Sequence, residues 1–514
     1  MKKHNIIYYS VLLVLMLVFV IYTVTKFPYT YITMESDDFW VLTKDYWQQK
    51  LAMLPAFTNW FADFLMQFYR SPYIAATIQT LVLGMTGMLA HAVLMKLLGN
   101  KRGFCWLALL PPVLLAFYCT FSLSFQLQCL FFVALLLIYV SLKSFKWRLL
   151  CGLLCVPLGF LLMRTPLLAI LIVAQTLSNR EKLKHSIGGG LAGAVLLAIT
   201  PLAYSQQIAF IPFEERYTEW GTYFDPLTSR NNQDGEYIKK CVCLANEGRW
   251  KDMLYKEHIR SDAQRGKAAS LRYALLAESA LGTLPENLLD YPIHDENLFL
   301  YPHQTEYIAS QFNRLFYLNL GVFDEAFHQA EEYGLLQRNG VCFSSLRQMA
   351  DYSIEEGDFE TSEKYLQILS RSSCHKDFVE GRKERIQKSK SQNSKSIPLR
   401  ADNFVGGFPL PIEMLRLARY YNDNKQKPES SNCQSSNCQI KKMLDYAICA
   451  YMLRGDRNSF LIATKAFDIY KAEELPKAYQ EFLEKKSVNP CISPLLLRNL
   501  HAHRTILIKK RIMI

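Results

Sequence analysis

The chain has 514 residues, half of them hydrophobic and only 20% charged, with a formal net charge of +12. The charge is uneven: the first 205 residues hold 16 Lys/Arg against 6 Asp/Glu, and the remainder holds 42 against 40. This distribution excludes a single soluble domain, and it argues against nucleic acid as the reason for a pI near 8.9.

Residues 6–25 form an apolar run long enough to span about 30 Å of hydrocarbon. Lys2 and Lys3 precede it and no small-x-small cleavage site follows, so the run reads as an uncleaved anchor. Further apolar segments are expected at about 73–98, 104–119 (with Pro111-Pro112), 124–142, 149–177 and 187–204. The fifth is interrupted by Met163-Arg164-Thr165-Pro166. As one helix it would place Arg164 near mid-membrane, at about 2.5–3.5 kcal/mol. As two pieces it either crosses twice or forms a re-entrant pair. On either of those readings one side collects eleven basic residues: Lys2, Lys3, Lys96, Lys101, Arg102, Lys143, Lys146, Arg148, Arg180, Lys182 and Lys184. The other side collects five: Lys26, Lys44, Lys50, Arg70 and Arg164. Positive charge marks the cytoplasmic flank. The expectation is about seven spans over 1–205 in a bacterial inner membrane, with the N-terminus cytoplasmic and the C-terminal domain periplasmic. Cys105, Cys119, Cys129, Cys151, Cys155 and His91 read as packing residues of this bundle.

The only long loop of this half, residues 26–72, carries two informative features. One is Glu35-Ser36-Asp37-Asp38. The other is the stretch 58–70, in which Trp60, Phe61, Phe64, Leu65, Phe68 and Tyr69 share one helical face and Asn59, Asp63 and Gln67 another. Such a helix suits the bilayer interface. On elementary grounds Asp37 and Asp38 would cap or solvate a short helix beginning at Phe39. A span, an external acidic pair, interfacial helices and a second span also resemble the opening of type C (GT-C) glycosyltransferases, which take a sugar from a polyprenyl-phosphate donor. That resemblance covers about 100 residues and implies Asp37 and Asp38 as base or acceptor-binding groups. It further implies Arg70 and Arg164 as donor-phosphate partners, a role that suits the guanidinium fork.

After residue 205 hydropathy falls and helical periodicity takes over. Glycine turns recur at Gly248, Gly282, Gly321 and Gly357, spaced 34, 39 and 36 residues apart, with another at Gly455. A period near 34 with glycine closing one helix predicts TPR-like helical pairs over 206–380. Residues 381–440 read as a basic and polar linker with one helix, including the tandem Ser-Ser-Asn-Cys-Gln at 430–439. Cys433 and Cys438 make C-x4-C without a second ligand pair, so no metal site is expected. Cys241 and Cys243 read as packing residues. Residues 441–514 predict a C-terminal helical repeat, with an apolar stripe of Met443, Tyr446, Ala447, Ala450 and Tyr451, and a basic tail. The tail would either lie on an anionic membrane surface or form a final capping helix.

The predicted fold is therefore all-α: a polytopic transmembrane helix bundle followed by a TPR-like α-solenoid domain. The closing segment, with Asn437, Met443, Tyr446, Leu453, Asp456, Phe460, Pro476, Tyr479, Gln480 and Glu481, resembles an uncharacterised family of polytopic membrane proteins from Bacteroidota. The resemblance implies an inner-membrane location and a periplasmic helical domain, but no activity. No Walker loop, GxGxxG, HExxH or GxSxG is present. Two readings follow. One is an envelope interaction scaffold whose partners are the lipid bilayer and another envelope protein, with neither cofactor nor nucleic acid. The alternative is a divergent GT-C-like glycosyltransferase using a polyprenyl-phosphate-linked sugar.

Overall fold

The structure is a computed structural model that describes residues 2–98, 102–118, 120–178, 183–212, 217, 230–265, 267–293, 307–337, 339–391, 414–415, 433–466 and 475–484. All regular elements among these are helical. The chain divides into two units: residues 1–237 with Arg371–His375, and the remainder.

The first unit begins with α1 (Lys2–Lys26), followed by three loop helices, α2 (Pro28–Ser36), α3 (Lys44–Leu51) and α4 (Ala56–Met66). Then come α5 (Pro72–Leu98), α6 (Leu110–Tyr118), α7 (Leu123–Ser141), α8 (Phe145–Gly159), α9 (Thr165–Ser178) and α10 (Leu183–Gln207). Helices α1, α5, α7 and α10 each contain a stretch long and apolar enough to cross a membrane. They expose large apolar side chains such as Leu13, Ile21, Leu81, Leu191 and Val195. In water such a surface would be a liability; in lipid it is the expected exterior.

The other segments expected as spans are shorter. Residues 104–119 split into 3-10 turns over Arg102–Leu109 and then α6. Pro111 and Pro112 fall in the first turn of α6, where no amide donor is needed. The stretch 149–177 divides where the sequence broke it, with Pro166 in the first turn of α9. At about 1.5 Å per residue, α8 and α9 fall short of an upright crossing.

Close contacts fix the bundle. Tyr8 Oη donates to Gly87 O at 2.9 Å. A Cβ on Gly87 would sit 3.1 Å from Leu12 and 3.2 Å from Pro112, so glycine lets α1, α5 and α6 meet. His91 is buried and stacks on Tyr8 at 4.2 Å, the packing role expected of it. Between α8, α9 and α10 lies a small cleft of about 20 Å³ lined by Arg148, Gln175, Thr176, Ser186 and glycines of α10. Arg148 Nε donates to Leu142 O at 2.6 Å and so caps the C-terminal end of α7.

The second unit contains most of α11 (Arg230–Asn246), then α12 (Ile259–Gln264), α13 (Ala268–Leu281), α14 (Leu284–Asn287), α15 (Tyr307–Leu320) and α16 (Phe323–Leu335). It continues with α17 (Phe343–Glu356), α18 (Phe359–Leu369), α19 (Lys376–Ser391), α20 (Cys433–Arg454), α21 (Arg457–Ala466) and α22 (Lys477–Glu484). Consecutive helices pair: α15 with α16, α17 with α18, and α20 with α21. All five recurrent glycines have positive φ, between 69° and 81°. At Gly282 and Gly321 the turn closes in the same way. Ser279 O and Leu318 O accept from the glycine amides, and Glu278 O and Tyr317 O accept from Thr283 N and Val322 N at 2.9 and 3.0 Å. That is the paired bonding of a Schellman cap, which an L side chain would strain.

One local expectation changes. Cys433–Gln439, expected in the linker, form the first turns of α20. The basic run from residue 381 begins as the end of a helix, α19, which reaches Ser391. The stripe of Met443, Tyr446, Ala447, Ala450 and Tyr451 is buried, as expected. The tail, 495–514, lies outside the described residues.

Candidate functional site at the loop end of the bundle

The loop after α1 is a folded cap. Phe27 interrupts the helix, and Pro28 at the first position of α2 suits a residue whose amide would have no partner. The amides of Tyr29 and Thr30 donate to the Glu236 carboxylate at 2.7 and 2.8 Å, so an anion sits on the positive end of α2.

Asp37 and Asp38 lie at the opposite end. Asp37 is the C-terminal cap of α2, its amide bonded to Thr33 O at 2.8 Å, and Asp38 N donates to Glu35 O at 3.3 Å. No helix begins at Phe39; the next one starts at Lys44, with Thr43 as its N-cap. The capping role expected for the aspartates is therefore not found. Carboxylates at a helix C-terminus oppose the helix dipole. Asp38 is also buried, at 7% exposure.

Helix α4 turns its polar face inward. Thr58, Asn59 and Asp63 are buried, whereas Trp60, Phe61 and Phe64 are half-buried and Phe68 is exposed. The two faces divide as the periodicity predicted except at Tyr69, which was expected on the aromatic face and is wholly buried. The inner face is engaged through Thr58, Asn59 and Asp63. Thr58 Oγ1 donates to Leu162 O at 2.6 Å and Phe57 N to Leu161 O at 3.0 Å, pinning α4 to the break between α8 and α9. Ser124 Oγ donates to Asn59 Oδ1 at 2.7 Å, and Asn59 Nδ2 to Met53 O at 2.9 Å. Asp63 accepts from Tyr46 Oη at 2.7 Å and pairs with Lys50, which is wholly buried. Tyr204 Oη reaches Leu51 O at 2.8 Å from α10.

A second polar strand joins α2, α5 and α7. Tyr31 Oη donates to Gln79 Oε1 at 2.9 Å, and Gln79 Nε2 donates to Thr120 O at 2.8 Å, which also accepts from Gln126. Burial pushes the phenols of Tyr31 and Tyr69 above their ordinary range.

Arg164 lies in the break, its amide donating to Gln128 Oε1 at 3.2 Å, and Arg70 is exposed beyond α4. All four residues singled out by sequence thus lie at one end of the bundle. His375 is also in this unit, 3.8 Å from Glu35. Burial, followed by the Arg70 guanidinium, lowers its imidazole to about 4. Sequence reasoning missed the Lys50–Asp63–Tyr46 cluster. Lys50 was read only as loop charge and Asp63 only as part of a polar face. Among the described residues no group of His, Cys, Asp and Glu could hold a metal.

These features define an all-helical membrane protein with a polar, folded cap on its helical bundle. Residues 2–484 match the model of DUF6057, a family of unknown function, and the chain belongs to that family. No curated protein and no solved structure matches it.

Proposed function

We propose that this protein is an interaction scaffold of the bacterial envelope: the bundle anchors it in the inner membrane, and the TPR-like unit binds another envelope protein in the periplasm. The observation that carries this reading is the recurrent pairing of helices through left-handed glycine turns. Such arrays bury a continuous core between repeats and present an extended surface, a form suited to binding. The excess of basic residues on the opposite flank of the bundle supports an exported repeat unit. The test has two parts. A reporter fused after residue 205 should be active only outside the cytosol. A photo-crosslinking residue at exposed Leu335 or Leu336 should give one discrete protein adduct in cells. A cytosolic reporter, or no adduct at any repeat position, would overturn the scaffold.

The placement of the aspartates favours a second reading. They stand at the negative end of α2, with Asp38 withdrawn from water, against the local electrostatic preference. Violated local rules concentrate at functional sites. On this reading the bundle is a GT-C-like glycosyltransferase. Asp37 or Asp38 takes the acceptor's proton, and Arg70 and Arg164 hold the phosphate of a polyprenyl-linked sugar. An Asp37→Asn/Asp38→Asn double substitution should then abolish a surface glycan that gene deletion also removes, at unchanged protein level. An unaltered glycan would sink this reading.

A further inference from the structure

Arg314, on α15, is 1% exposed, the largest fully buried side chain among the described residues. Its Nη1 donates to Gln348 Oε1 at 2.7 Å and to Ser344 Oγ at 3.3 Å, both neutral and both on α17. The Tyr333 ring lies 4.6 Å from its Cζ. Among the described residues no carboxylate pairs with it, and its buried Nε finds no hydrogen-bond partner. The acid nearest in sequence on α17, Asp351, is committed to Arg382, with Nη2 to Oδ2 at 3.1 Å.

A second orphan donor lies on α13, which packs against α15. Tyr273, on α13, is 3% exposed, and its Oη also lacks a hydrogen-bond partner. Its ring meets Phe312 edge-on at 5.5 Å, two residues before Arg314 on the same helix. Burial raises the phenol well above its ordinary range, and the Arg314 and Arg272 guanidiniums only partly oppose that rise. A guanidinium cannot shed its proton to escape burial. A buried cation without a counter-charge is strongly disfavoured, and buried donors are normally satisfied.

We propose that Arg314 and Tyr273 hold a small monovalent anion of chloride size inside the helical unit. The anion accepts from Nε–H and from the phenol O–H, and it supplies the missing counter-charge. One guanidinium matches one negative charge, and exposures of 1% and 3% exclude a large ligand. Bound only to the folded state, the anion stabilises it by mass action.

The test uses the full chain purified in non-ionic detergent, melted as sodium gluconate is exchanged for sodium chloride at constant ionic strength. The melting temperature should rise with chloride and saturate, with a total shift of roughly 3 °C or more, and bromide should act like chloride. Tyr273→Phe should weaken the response, and Arg314→Met should abolish it. Identical melting in gluconate and chloride would overturn the proposal, as would a full chloride response in both variants. An acetate arm separates the sources: a shift with acetate alone would replace the halide by a carboxylate. If Arg314→Met does not fold, bromide-soaked crystals decide, since an anomalous peak must lie beside Arg314 Nε or the site does not exist.

Discussion

Lys50 and Asp63 form an ion pair between α3 and α4 in which the lysine side chain is wholly buried and the aspartate side chain is 4% exposed. Tyr46 donates to the same carboxylate and offers its ring to the ammonium at 5.1 Å. The loop helices are too short to be stable alone, so this contact and the bonds from α4 to Leu161 and Leu162 hold the cap on the bundle. Removing one partner of a buried pair leaves an uncompensated charge, at about 3–5 kcal/mol, whereas replacing both by apolar residues is far milder. Asp63→Asn should therefore lower the melting temperature of the detergent-solubilised protein more than Lys50→Met/Asp63→Leu does. Equal losses would show that the pair contributes packing rather than charge.

Two glycines of the second unit should respond to alanine in opposite directions. Gly282 has φ +73° and open space around it, so Gly282→Ala meets no clash but forces a left-handed Cβ, at about 1–2 kcal/mol. Gly381 lies within α19 and also faces open space, so Gly381→Ala should stabilise by about 0.8–1 kcal/mol. Denaturant melts of the two variants against wild type check the signs. A neutral Gly282→Ala would undermine the cap assignment and the repeat register built on it.

The same contrast explains what was legible in the sequence. Hydropathy located α1, α5, α7 and α10 because lipid-facing helices are apolar along a length set by the bilayer. The glycine turns were legible because left-handed backbone admits few other residues. The two faces of α4 were legible by period, although what each face touches was not. Lys50 and Asp63 are thirteen residues apart, and nothing local announces that they meet. The reversal at Asp37 has the same origin: α2 is marked by Pro28 and by Glu236 more than 200 residues away, so the sequence suggested a helix after the aspartates rather than one before them. Long-range partners, not propensity, decided each miss.

Close helix packing in the bundle gives a third test. A Cβ on Gly190 would lie 2.6 Å from Thr176 Oγ1, which is bonded to Ile172 O at 2.8 Å and so resists moving. A Cβ on Gly188 meets nothing within 4 Å. Gly190→Ala should destabilise by about 1–3 kcal/mol through overpacking, and Gly188→Ala should be close to neutral. Thermal melts in one detergent compare them directly. Equal effects would mean that α9 and α10 do not pack through this stripe.

His375 makes the stability of the first unit sensitive to mild acid. Its imidazole falls from an ordinary 6.5 to about 4, first by burial and then by the Arg70 charge; the Glu35 carboxylate lies 3.8 Å away. Between those two values the unfolded chain binds a proton that the native protein does not. The native state therefore keeps its full advantage above about pH 6.5 and loses it as pH falls towards 4, by up to about 3 kcal/mol. The comparison is made at pH 7.5 and pH 5. Wild type should lose several degrees of melting temperature between the two, while His375→Gln, which stays neutral and polar, should lose distinctly less. Adding Glu35→Gln to both backgrounds should leave that difference in place, because the proton concerned is taken up by the imidazole of the unfolded chain. Parallel pH profiles for wild type and His375→Gln would show that His375 is not the group whose protonation unfavours the native state.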